Sequence, residues 1–293
     1  MDTVKVILDT DIGSDIDDAV CLAYLLAQPR CDLLGITTVT GEPVKRAQMA
    51  SALCRVAGRA GIPIHPGCAT PLLIEQRQPE CPQAAALGHW PHQAEFPGSD
   101  AIRFLRDTIR RHPGEVVLLA IGPFTNVGLL FAQYPDVAGL LKGLVVMGGW
   151  FRTRLPNVGP LEWNAMLDPH ATAILYRHAP AFNRSVGIDV TMSVTMPAAE
   201  VRRRFEAPLL KPVLDFAEVW FKHAGSLVFH DPLAAVAIFE PGICMWGRGT
   251  VDVELKSDRL LGMTHWTPNE KGRHEIAVDV DPAAFFNACF GVF

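Results

Sequence analysis

Two uninterrupted apolar runs, Val116 to Ile121 and Leu144 to Met147, constrain the fold of this chain more than any other feature. Each stops at glycine, Gly122 after the first and Gly148-Gly149 after the second. A strand with one wet face alternates polar and apolar residues. A run with no polar position is covered on both faces, as a central strand of a parallel sheet is. Val186 to Val190 reads the same way, and Val4 to Leu8 and Cys31 to Val39 add two further strands. Helical spacing fills the gaps, with Ala19, Val20, Ala23, Tyr24 and Ala27 inside Ile16 to Ala27, then Val44 to Gly58. Strands alternating with helices build βαβ units and a mostly parallel sheet. Thr250 to Asp281 alternates apolar and polar residues instead, which predicts an antiparallel extension. With no repeat and no linker, the expectation is one α/β domain over 1–293. Its core would be a Rossmann-like open sheet flanked by helices.

Composition removes several functional classes. The formal net charge of −5 gives no positive field for a phosphate backbone, so a nucleic-acid partner is not expected. The one basic run, Arg202-Arg203-Arg204, reads as a solvated helix face. No apolar stretch is long enough to span a bilayer, so no membrane role is expected. The seven cysteines are scattered and form no C-x-x-C pair, which predicts reduced, buried thiols. The opening Met1-Asp2-Thr3-Val4-Lys5 lacks the pattern of a secretory leader. These readings together predict a cytoplasmic protein.

In an open parallel sheet, ligands collect at the carboxyl ends of the strands. There the first strand runs into Asp9-Thr10-Asp11-Ile12-Gly13-Ser14-Asp15-Ile16-Asp17-Asp18, five carboxylates in ten residues. Asp9 and Asp11 leave the strand on one side, and Gly13 permits a sharp turn. So many like charges repel unless a cation joins them. Oxygen donors without nearby His or Cys point to a hard ion, Ca²⁺ or Mg²⁺. An EF-hand fits poorly, because the fifth position from Asp9 is Gly13. Two other readings stand beside the metal: a loop with one capping aspartate and the rest solvated, and an aspartyl-phosphate phosphohydrolase with Asp9 as nucleophile.

Val6-Ile7-Leu8-Asp9-Thr10-Asp11, with Gly13 and Asp17-Asp18-Ala19, resembles the N-terminal signature of the inosine-uridine-preferring nucleoside hydrolases. The likeness continues through Leu34-Gly35-Ile36-Thr37-Thr38-Val39 and Gly122-Pro123-Phe124-Thr125-Asn126. It recurs at Val146-Met147-Gly148-Gly149, Glu162-Trp163-Asn164 with Asp168-Pro169, and His230-Asp231-Pro232, in order over about residues 4 to 240. The resemblance implies Ca²⁺-dependent hydrolysis of the bond between ribose and a nucleobase, in a homodimer or homotetramer. It implies Asp11, Asp18, Asp231 and the main-chain carbonyl of Thr125 as metal ligands. Asp11 would be the general base and His230 the general acid. Asp17, Asn157, Glu162 and Asn164 would bind ribose hydroxyls, and Met147 would pack on the sugar. In the Pro-rich segment Gln76 to Ser99, His89 and His92 would contact the base and Trp90 would stack on it. A protein that binds nucleosides without turnover is the third reading.

Three departures from the familiar pattern stand out. Ser14-Asp15 reads as an insertion, Glu42 occupies a position where the pattern has Asn, and Asn157 lies one residue closer to Glu162 than expected.

Overall fold

The computed structural model describes residues 3–98, 100–152 and 159–293; Asn157 lies outside them. Eleven strands are defined among these residues: β1 (Val4–Thr10), β2 (Cys31–Thr38), β3 (Ile64–Pro66), β4 (Val116–Ala120), β5 (Gly143–Met147), β6 (Asn183–Val186), β7 (Thr195–Pro197), β8 (Ser226–Val228), β9 (Cys244–Val253), β10 (Thr264–Pro268) and β11 (His274–Val280). Nine form one sheet in the order β10-β9-β11-β6-β5-β4-β1-β2-β3, and β7 and β8 pair separately. From β6 across to β3 every pairing is parallel. The predicted extension is present: β9 runs antiparallel to both β10 and β11, while β11 lies parallel to β6.

The all-apolar strands are covered on both faces, as their composition requires. Val6, Leu8, Val117, Leu119, Val145 and Met147 enter one core, and Ile7, Val116, Leu118, Leu144 and Val146 the other. This is the period-two alternation of a strand, with both sides dry. Helices Asp17–Ala27 and His230–Phe239 contribute to the first core, and Thr125–Gln133 and Pro169–His178 to the second. Among the described residues no helix is long and apolar enough to cross a membrane. All seven cysteines are free thiols, six of them buried.

One expected strand is shortened. The run Val186 to Val190 is strand only as far as Val186, and Ile188–Thr191 is a single helical turn. Gly187 marks the break. A Cβ there would lie 2.6 Å from the Asp189 carboxylate and 2.9 Å from the Gly149 carbonyl, so the chain turns where only glycine fits.

His274 ties the extension to the rest. Its Nδ1 accepts the Val251 N–H at 3.0 Å, and its Nε2 lies 2.9 Å from the Tyr176 carbonyl, to which it must donate. Both bonds need a neutral ring, and burial lowers the pKa of His274 below the ordinary 6.5. The unfolded chain then binds the extra proton first, so stability is full above about pH 6.5 and falls as the pH drops below it. We expect this acid loss of melting temperature to be smaller in His274→Asn, which keeps an acceptor in place of Nδ1 but cannot titrate. Identical pH slopes for the two proteins would remove His274 from the account.

Candidate active site

The carboxyl ends of β1, β4 and β5 open onto a cavity of about 560 Å³. It lies where the sheet order reverses between β4 and β1, the switch point at which ligands gather in open sheets. Asp11, Asp15, Asp17, Asp18, Asp231, His230, Met147, Glu162 and Asn164 line it, joined by Gln78, Trp163, Ile188 and Trp220.

The first turn after β1 sorts the five aspartates. Asp9 points into the protein. Its Oδ1 accepts from Thr37 Oγ1 and, at 2.7 Å, from Asn126 Nδ2, its Oδ2 has no partner among the described residues, and burial pushes its pKa up to about 7. Asp9 does not line the cavity, so it is poorly set to act as a nucleophile. Gly13, at φ 112°, swings the chain back; a Cβ there would collide with Cys81 Sγ at 2.3 Å. Asp17 and Asp18 follow in the first turn of the next helix. Asp231 stands in the first turn of another, and its N–H donates to Asp17 Oδ2 at 3.0 Å.

Asp17, Asp18 and Asp231 each bring one oxygen to within 4.8 Å of the others. Burial first, and then repulsion among neighbouring carboxylates, raises all three well above the ordinary carboxylate range. Burial also raises Asp11, against the opposing pull of the Arg46 cation and the Gln78 hydrogen bond. Among the described residues none of these buried anions forms a salt bridge with Lys or Arg, and together they could hold a hard divalent cation. The all-oxygen donor set fits that group. The grouping differs from the expected ligands in that Asp17 belongs to the trio while Asp11 lines the cavity beside it. Thr125 does not line the cavity; its hydroxyl donates to Asp168 Oδ2 at 2.8 Å.

Glu162, Asn164 and His230 complete the lining. Glu162 caps the short helix Trp163–Leu167, accepting N–H groups from Gly149, Asn164 and Ala165 at 2.8–2.9 Å. Asn164 Nδ2 donates to the Ile121 carbonyl at 2.8 Å and the Met147 carbonyl at 3.2 Å, which links the ends of β4 and β5. His230 Nδ1 meets Thr191 Oγ1 at 2.5 Å, and burial holds the imidazole down at about 4, so the ring is neutral near neutral pH.

Of the expected base contacts, none of His89, Trp90 and His92 lines the cavity. Trp90 donates its indole N–H to Asp215 at 3.0 Å and packs against the core. His92 Nδ1 lies 2.8 Å from the Trp90 carbonyl. The aromatic rings on the cavity are Trp163 and Trp220, which sequence reasoning did not single out. Trp163 could have been found, since it stands between Glu162 and Asn164. Trp220 closes the helix Leu210–Trp220 and carries no local signal. Glu42 does not line the cavity either; it accepts the Cys81 N–H at 3.1 Å and pairs with Lys45 at 2.6 Å.

Residues 6–287 match the profile of the family described as inosine-uridine preferring nucleoside hydrolase. An inosine-uridine preferring nucleoside hydrolase of Leishmania major is 31% identical, covering 94% of this chain and 93% of its own length. The non-specific ribonucleoside hydrolase RihC of Salmonella enteritidis is 34% identical, with 89% and 87% covered. A solved plant nucleoside hydrolase superposes with a TM-score of 0.85 at 23% identity, covering 99% of this chain and 98% of that one, and so shares the fold. The chain belongs to the inosine-uridine preferring nucleoside hydrolase family and is a hydrolase of N-glycosyl compounds.

Proposed function

We propose that this enzyme hydrolyses the N-glycosidic bond of ribonucleosides, inosine and uridine first among them, with calcium as its metal. One juxtaposition supports this reading. Four buried carboxylates, Asp11, Asp17, Asp18 and Asp231, meet on a cavity whose wall also carries the His230 imidazole. Asp11, Asp18, Asp231 and the main-chain carbonyl of Thr125 would hold the ion. When bound, it supplies a seat for the ribose diol and acidity to a nearby water. Asp11 takes the proton from that water as it attacks the anomeric carbon. Asp17 accepts from the 2′-hydroxyl, Glu162, Asn164 and Asn157 bind the other hydroxyls, and Met147 packs on the sugar. Positive charge grows on the ribose as the bond to the base stretches, and the surrounding carboxylates stabilise it. His230 delivers a proton to the departing base. The ring takes up that proton in the substrate complex, as an imidazolium held at Nδ1 by Thr191 Oγ1, and returns to its neutral form on giving it from Nε2 to the leaving nitrogen. Seven unpaired thiols support work in a reducing cytoplasm, and a homodimer or homotetramer is the assembly we propose.

Ribose release from inosine and uridine is expected to stop in excess chelator and return with added calcium. A rate that survives chelation would end the metal-dependent reading. His230→Ala should slow inosine by about 10²-fold or more, and p-nitrophenyl riboside, whose leaving group needs no proton, by far less. Equal losses on both substrates would remove His230 as the acid. Nucleoside binding without any ribose release would favour a silent binding protein instead.

A further inference from the structure

We propose that Gln78 is a positioning residue of this hydrolase, holding the Asp11 carboxylate in place through a relay that begins at Trp163. This rests on the role given to Asp11 above. Donor and acceptor chemistry fixes the direction of the relay. An indole N–H can only donate, so the Gln78 oxygen must face Trp163 Nε1, which bonds to it. The amide NH₂ is thereby turned to the other side, where it donates to Asp11 Oδ2. Flipping the amide would break both bonds at once. Gln78 is 8% exposed and lines the cavity with both its partners.

The backbone around Gln78 is pinned on both sides, so the amide does not hang from a loose loop. The Gln78 N–H donates to Gln76 Oε1 at 2.8 Å, and Gln76 Nε2 donates to Thr40 Oγ1 at 2.9 Å. Arg46 Nη2 holds the Glu80 carbonyl at 3.0 Å, and Glu42 holds the Cys81 N–H at 3.1 Å. Gly41 lies under this segment so closely that a Cβ would sit 2.4 Å from the Gln78 carbonyl and 2.7 Å from that of Pro79. The Glu42 departure thus gains a role as one of the staples that set Gln78 over the aspartate turn.

Activation of water is common to every substrate, whereas protonation of the base is not. Gln78→Met, which keeps the length and loses both hydrogen bonds, is therefore expected to lower kcat about 30-fold on inosine and on p-nitrophenyl riboside alike. KM and the calcium affinity measured by calorimetry should stay within about threefold. Trp163→Phe, a milder change at a half-exposed ring, should lower kcat about fivefold, and adding it to Gln78→Met should cost nothing more. The Trp163 indole N–H resonance, assigned by its loss in Trp163→Phe, should move in Gln78→Met whether or not substrate turns over. An unmoved resonance, an unchanged kcat, a fall in calcium affinity equal to the fall in kcat, or additive losses in the double variant would each overturn the proposal. A wild-type enzyme that releases no ribose would instead overturn the parent reading, and the resonance would still decide whether the relay exists.

Discussion

Asp11→Ala is expected to lower the turnover of inosine and uridine by about 10³-fold or more, the largest single loss we foresee in activity. The side chain would lose two functions at once, as the acceptor of the water's proton and as a metal ligand. Asp11→Asn separates them. It keeps an oxygen of the same reach but cannot take a proton, so kcat should fall nearly as far while calcium affinity suffers less than in Asp11→Ala. The site leaves little slack. A Cβ at Gly122 would stand 2.8 Å from Asp11 Oδ1 and 2.9 Å from the Asp11 amide nitrogen, so the strand end after β4 is shaped around this carboxylate. Near-normal rates in Asp11→Asn, measured with calcium in excess, would refute its assignment as the base.

The architecture was readable because its signals are local. Val116 to Ile121 has no polar position, and such a run has one comfortable place in an α/β protein. The aspartate turn was readable too, because five carboxylates beside Gly13 are hard to accommodate otherwise. What a linear reading lacked was direction. Asp9 and Asp11 look equivalent, yet Asp9 is walled in by Thr37 and Asn126 while Asp11 faces the cavity. Trp90 reads as a ring to stack on the base, but its indole N–H bonds Asp215, 125 residues away in the chain. Gln78 lies in the Pro-rich segment expected to contact the base, and nothing about a lone glutamine marks it as touching Asp11. Lys45 and Arg46 are neighbours on one helix, and the sequence does not say which of them goes inside. The structure turns Lys45 out to pair with Glu42 and buries Arg46 completely.

Arg46→Met is expected to destabilise the fold by about 3 to 5 kcal/mol, the largest loss we foresee in stability. Among the described residues the guanidinium makes five hydrogen bonds and no direct ion pair with a carboxylate. Its Nε donates to the Thr40 carbonyl at 2.8 Å. Nη1 donates to the Asp11 and Ile12 carbonyls and to Ser14 Oγ, the last at 2.9 Å. Nη2 reaches Glu80. Thr40 is the one non-glycine residue among those described with a positive φ, 62°, a conformation that a β-branched side chain resists and that its neighbours must hold. Removing the guanidinium therefore strands several buried acceptors and releases a strained turn together. It also explains how the Ser14-Asp15 insertion is accommodated, since Ser14 is one of the groups the guanidinium ties down. Lysine has three donors on a single atom and cannot span this fork, so Arg46→Lys should recover only part of the loss. For a chain of this size we expect thermal unfolding of Arg46→Met roughly 10 °C below wild type, with Arg46→Lys between the two. A fall of less than about 3 °C in the methionine variant would mean that water or repacking satisfies those carbonyls, and the aspartate turn would then owe its shape to Gly13 and Gly122 rather than to Arg46.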